Sequence, residues 1–307
     1  MLSNLSKSVL GSTFAVLSLS FLTNVNRYRN EYKRKFGLKG NQFTNYNDEK
    51  TIEYNIKVNK SSNILLVFEN GLGLPLESWD YLQTFLKDSY NILLYNRTGF
   101  GMTRSKETNG KILEKIIKDS FTHDVNIIFI THSIGSLAAC NTIEETPFIK
   151  NITKKIIFLD GLDPYFFDEY RKDPQKKGEF IQTSYHKAFA GIFGFQWWGP
   201  DRYARRINYQ PDIQQAVRLF EANPKEILAT FHEYETIDTN SMKKVLSERN
   251  IPISIISSSE RRSQQKKLSA DFNVPFYVVE NSSHYSTIGS PVHAYEVAFK
   301  LREIIND

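Results

Sequence analysis

A chain of 307 residues, 40% hydrophobic and 24% charged, has the make-up of a globular protein able to bury a sizeable core, as one domain with an insertion or as two. A formal charge of only +5, with basic residues scattered after position 40, offers no groove for a nucleic acid. The single cysteine, Cys140, excludes an intrachain disulfide and reads as a small core residue.

Residues 8–25 carry no charge, and their apolar centre, residues 9–22, is diluted by serine. Only Lys7 precedes this stretch, whereas Arg27, Arg29, Lys33, Arg34 and Lys35 follow it. The length is marginal for a membrane span of roughly 20 residues. The basic cluster opposes export, and by the positive-inside rule it favours an anchor with the body of the protein on the cytoplasmic side. Residues 1–26 are therefore expected to form a membrane-anchor or signal-like segment. An amphipathic helix lying on the domain or on a membrane surface stays open, as does a cytoplasmic or secreted protein. Residues 27–50 are basic, polar and Gly-spaced, and read as a linker with little order.

Strand signals begin at residues 51–58, where Ile52, Tyr54, Ile56 and Val58 alternate as in a half-buried edge or hairpin strand. The continuous apolar run at 64–68 reads as a buried strand. It ends in Glu69-Asn70-Gly71-Leu72-Gly73, before a helix expected to be capped by Ser78. Residues 91–95 form the next strand, closing on Asn96-Arg97-Thr98-Gly99-Phe100-Gly101, and Ile112, Leu113, Ile116, Ile117 and Phe121 follow with helical spacing. A further apolar run at 125–130 breaks into Thr131-His132-Ser133-Ile134-Gly135-Ser136 before a helical pattern resumes. A strand at 155–159 ends in Asp160-Gly161-Leu162-Asp163-Pro164, with Asp163 placed to cap the next helix. The alternation of strands and helices predicts a mostly parallel sheet covered on both faces. It is interrupted over 165–250, a helix-rich, aromatic stretch that includes Trp197 and Trp198, and resumes with strands at 251–256 and 274–279. Pro291 behind Ser290 opens the last helix.

Small-x-Ser-x-Gly between a strand and a helix is the pattern of a nucleophile elbow, a turn so tight that strand and helix nearly touch. Gly135 and Ser136 supply small residues there, while Thr131 stands where glycine is usual. Ser133 is the candidate nucleophile, and a serine needs a base within reach. Of the six histidines, His284 lies in the polar loop after the last strand, at the edge where such sites collect. His132, beside Ser133, is too near in sequence to serve it and reads as a packing or hydrogen-bonding residue. Metal-ligand spacing is absent, and no cofactor is called for.

Three pieces in this order, ENGLG, THSIG and NSSHY, resemble the α/β-hydrolase superfamily over about residues 51–305. The chain looks closest to bacterial serine esterase or lipase-like members that carry an ENGLG oxyanion turn. The resemblance implies a core of residues 51–164 and 251–307, with a helical cap at 165–250 inserted after the sixth core strand. It implies His284 as base, with an orienting acid after either the sixth strand or the seventh. Asp160 fills the first place; Glu260 stands one position off the second, in Ser257-Ser258-Ser259-Glu260. Asp160 is favoured because the acid must be held rigidly. The backbone amides of Leu72 and Ile134 are the expected oxyanion donors, the Arg97–Gly101 turn is expected to be structural, and Trp197 and Trp198 are expected to contact substrate.

The activity implied is hydrolysis of a hydrophobic carboxylic ester through an acyl-enzyme on Ser133. A thioesterase, amidase or C–C bond hydrolase would use the same groups. The dehalogenase and epoxide-hydrolase branches resemble this fold but place Asp at the nucleophile. A non-catalytic, membrane-tethered binding protein also stays open, because Thr131, Asn96 and the serines after the seventh strand depart from the family pattern.

Overall fold

The computed structural model describes residues 11–24, 42–46, 50–192 and 208–307. Eight strands form one sheet in the order β1-β2-β4-β3-β5-β6-β7-β8. They are β1 (Gln42–Tyr46), β2 (Lys50–Lys57), β3 (Ile64–Glu69), β4 (Asn91–Tyr95), β5 (Asn126–His132), β6 (Thr153–Leu159), β7 (Ile253–Ser258) and β8 (Phe276–Val279). The β1–β2 and β2–β4 pairings are antiparallel, and the others are parallel.

The continuous apolar runs follow from burial on both faces. In β3, Leu65 and Val67 join one core cluster while Leu66 and Phe68 join the other. Ile127 and Phe129 divide from Ile128 and Ile130 in β5 in the same way, as do Ile156 and Phe158 from Ile157 and Leu159 in β6. Helices cover both clusters. In chain order they are α1 (residues 11–24), α2 (Asp80–Leu86), α3 (Asn109–Ser120), α4 (Gly135–Glu145) and α5 (Pro147–Ile152). Between β6 and β7 come α6 (Pro164–Lys172), α7 (Pro174–Ile192), α8 (Pro211–Glu221), α9 (Pro224–Thr236) and α10 (Asn240–Glu248). The remainder are α11 (Arg262–Phe272), the single turn α12 (Ser286–Gly289) and α13 (Pro291–Asn306). Cys140 is fully buried on α4, against the cluster that α3 and α10 also cover.

Several local expectations are corrected. The stretch read as a linker contains β1, which pairs with β2 from Gln42 opposite Tyr54 to Tyr46 opposite Lys50. Ser78 does not cap a helix: it is buried in a 3-10 turn (Leu76–Trp79), and its hydroxyl has no hydrogen-bond partner among the described residues. Ser290 precedes α13 without a side-chain capping bond. Asp163 does cap α6, accepting from the amides of Tyr165 at 2.9 Å and Phe166 at 3.2 Å. At the amino end, residues 11–24 are helical. No described helix is long and apolar enough to cross a membrane, so the described residues give no span where the charge pattern favoured one.

Candidate active site

Strand β5 runs into α4 through Ser133, whose φ of 55° lies in the left-handed region. A non-glycine residue there is strained and persists only where its surroundings fix it. The tightness of the turn sets the small residues around it. A Cβ at Gly135 would sit 2.4 Å from the Glu69 carbonyl oxygen and 2.8 Å from that of Asn70, so only glycine lets α4 start this close to the end of β3. The Ser136 hydroxyl donates to the Ser133 carbonyl at 2.9 Å and accepts from the Leu162 amide at 3.0 Å. Thr131 fits where glycine is usual, but its buried hydroxyl has no hydrogen-bond partner among the described residues.

Asp160 follows β6 and is also left-handed, with φ of 48°. Its side chain is fully buried, and Oδ2 lies 3.0 Å from Nδ1 of His284. The Ser258 amide donates to Oδ1 at 2.8 Å, and the Ser258 hydroxyl donates to Oδ2 at 2.6 Å. Burial alone would push this carboxyl up, but the bonds from His284 and Ser258 outweigh it and hold it below the ordinary aspartate range. Glu260 does something else: it accepts the backbone N–H of His284 at 2.7 Å. Its own amide donates to the Ser282 carbonyl at 3.2 Å, and the Ser259 hydroxyl donates to the same carbonyl at 2.8 Å. Ser259 and Glu260, just after β7, thus tie the histidine loop down, while Asp160 faces the ring.

His284 is itself buried, which lowers its pKa from the ordinary histidine value; the bond it donates to Asp160 opposes that, and the nearby Arg261 charge adds to the lowering. His132 stacks on its ring at 4.3 Å between centroids, and His132 Nε2 lies 2.9 Å from the His284 carbonyl oxygen. Because a carbonyl only accepts, Nε2 carries the proton and Nδ1 is the bare nitrogen. Burial and the neighbouring His284 lower the pKa of His132 to about 3. It is therefore a neutral prop for the loop. Adjacency to Ser133 gave no sign that His132 would reach the loop after β8; its place at i−1 to Ser133, as the last residue of β5, is the only signal.

Ser133, His284, Leu72 and Arg261 line one cavity of about 260 Å³. Its other wall comes from the helices between β6 and β7, including Phe180 of α7, Phe220 of α8 and Ile227 of α9. Beside Ser133, the turn after β3 is closed by the Leu74 amide on the Gly71 carbonyl at 3.2 Å. A Cβ at Gly71 would lie 2.6 Å from His132 Nδ1, which excludes a side chain there. Neither the Leu72 nor the Ile134 amide donates to another backbone group among the described residues. Trp197 and Trp198 lie outside the described residues.

The turn after β4, expected to be structural, makes buried contacts to both the core and the roof. Arg97 donates to Glu69 at 3.2 Å, to the Asn70 carbonyl at 2.8 Å and, with Nε and Nη2, to Glu233 of α9 at 2.5 and 2.8 Å. Tyr95 donates its hydroxyl to Glu69. The Gly101 amide donates to Glu226 at 3.0 Å. Asn96 is structural, accepting from the Leu76 amide at 3.2 Å and donating to Glu53 at 2.8 Å. One buried guanidinium therefore joins the turn beside Ser133 to the helices that roof it.

No protein-family model matches the chain, and no curated protein matches it. Solved structures do. The Cif epoxide hydrolase from Acinetobacter nosocomialis superposes with a TM-score of 0.65 at 16% identity, covering 91% of this chain and 96% of that one. A haloalkane dehalogenase variant, DbeA-M1, from Bradyrhizobium elkanii gives 0.63 at 12% identity, over 87% and 97% of the two chains. A structure reported with carboxylesterases of the Thaumarchaeon Nitrososphaera gargenis gives 0.60 at 17% identity, over 86% and 99%.

Proposed function

The chain has the α/β-hydrolase fold, and on that premise we propose that it is an enzyme, a serine hydrolase that cleaves carboxylic esters through an acyl-enzyme. The observation that carries the reading is the Asp160–His284 contact of 3.0 Å beside a cavity that His284 shares with the strained Ser133. Dehalogenase-like and epoxide-hydrolase-like chemistry is disfavoured, because a serine stands where those branches carry a carboxylate.

In this mechanism the Ser133 hydroxyl attacks the ester carbonyl while His284 Nε2 takes its proton. Asp160 fixes the tautomer by accepting from Nδ1 and stabilises the imidazolium that forms. The oxyanion is met by the amides of Leu72 and Ile134. His284 then protonates the leaving alkoxide, and the acyl group stays on Ser133. A water, deprotonated by the same imidazole, attacks the acyl-enzyme and releases the acid and free Ser133. Leu72, Phe180, Phe220 and Ile227 on the cavity wall favour an apolar acyl or alkyl group. Thioesters, amides and C–C bonds remain chemically accessible to the same groups.

A fluorophosphonate probe tests the reading. It should label the folded protein, and Ser133→Ala should abolish labelling. Absence of labelling on folded wild type would favour the non-catalytic binding protein.

A further inference from the structure

Helix α1 sits on the molecule the wrong way round for a helix exposed to water. It packs inward through Ser20 and Asn24, 3% and 4% exposed, and turns Phe14 (74%), Leu19 (60%), Phe21 (63%) and Leu22 (58%) outward. A helix on a solvated surface does the reverse, burying its apolar stripe. The attachment is specific: the Asn24 amide donates to the Ile192 carbonyl at 2.7 Å and to that of Gly191 at 3.4 Å, at the last turn of α7. Helix α7 also exposes apolar side chains. Tyr185, Phe189 and Ile192, spaced four and three apart and hence on one face, are each more than half exposed. Phe180, Ser184 and Lys187, on another face of the same helix, line the cavity. Exposed large apolar side chains grouped on one helix face mark an interaction site.

Charge indicates the occupant. The first thirty residues contain no Asp or Glu; in sequence, Lys7 precedes α1, and Arg27, Arg29, Lys33, Arg34 and Lys35 follow it. An apolar face flanked by cations complements a layer of acyl chains beneath anionic headgroups. A second copy of the chain would bring cations of like sign to the same contact. No described helix is long and apolar enough to cross a membrane, and the Asn24 bonds to the end of α7 hold α1 along the surface of the molecule. We propose that α1 and the outer face of α7 seat this protein on an anionic lipid surface, with the roof of the cavity lying against the bilayer. The inference is independent of the reaction at Ser133.

Co-sedimentation of the full chain with mixed phosphatidylcholine–phosphatidylglycerol vesicles tests it. The protein should bind these vesicles, and bind pure phosphatidylcholine more weakly. The triple variant Phe14→Ser, Phe21→Ser, Leu22→Ser should lose on the order of a hundredfold or more in partition coefficient, with thermal melting and hydrolysis of a water-soluble ester unchanged. Arg27→Gln with Arg29→Gln should weaken binding to the anionic vesicles alone. Failure of the folded full chain to bind, or undiminished binding by the triple variant, overturns the proposal. A dimer in solution that the triple variant converts to monomer, without vesicle binding, overturns it in favour of a second copy.

Discussion

Two carboxylates reach His284, and they reach different atoms. Asp160 meets ring Nδ1 at 3.0 Å, and Glu260 takes the backbone N–H at 2.7 Å. On the proposed mechanism, Asp160→Asn should lower kcat roughly 10³–10⁴-fold through loss of the reactive tautomer. Glu260→Gln keeps an acceptor for the amide and should stay within about tenfold of wild type; steady-state kinetics with a chromogenic ester reads both. The pH dependence has a defined sign. His284 must be neutral to act as base, and burial together with the Arg261 charge places its pKa below the ordinary value. The acid limb of kcat/KM should therefore fall below pH 6.5 or so. Arg261→Gln removes a cation that disfavours imidazolium, so the limb should move to higher pH; a limb that stays in place would exclude the charge effect. At this scale the sequence was informative where a residue type has one use in one turn. Ser133 and Gly135 are fixed by the closeness of strand and helix. It left open what depends on a through-space partner: the choice between Asp160 and Glu260, and the support that His132 gives a loop 152 positions away.

Among the elements, the strands buried on both faces were legible because their hydropathy is continuous, and their observed bounds shift by only one or two residues. Strand β1 was not legible. It is an edge strand of mixed, largely polar sequence held by backbone pairing to β2, and hydropathy does not record backbone pairing. Ser78 misled in the opposite sense, since a serine before an apolar run suits both a cap and a buried 3-10 turn. The Arg97 cluster was equally opaque, because its partners Glu69 and Glu233 lie 28 and 136 positions away. Arg97→Leu should leave the buried Glu69 and the partly buried Glu233 without their cation and cost about 3–5 kcal/mol, read from the denaturant midpoint. Glu233→Gln keeps an acceptor and should cost less.

Over the whole molecule, the cavity lies where the sheet's carboxyl edge meets the helices inserted between β6 and β7, so each half supplies one kind of selectivity. The core brings Ser133 and His284, and the roof brings Phe180, Phe220 and Ile227. Each methylene moved from water into such a wall is worth about 0.8 kcal/mol, or about fourfold in kcat/KM when fully buried. Activity on aryl esters should therefore rise from acetate to butyrate or hexanoate. Ile227→Ala should flatten that rise mainly through KM, because the roof supplies uniform binding. A steady fall from acetate onward would show a roof that shuts the cavity to longer chains. The insertion was visible in the sequence as a break in rhythm; the side chains that bind it to the core were not.

That binding limits how freely the protein can be rebuilt. Laboratory recombination treats a roof of this kind as a cassette, exchangeable between scaffolds to change substrate range. Here the junction is a buried guanidinium shared between Glu69 in the core and Glu233 in the roof. A donor segment arriving without a carboxylate at the place of Glu233 would bury an uncompensated part of that charge against the turn beside Ser133. Chimeras of this protein should thus be chosen by one ion pair before any consideration of the pocket they are meant to alter.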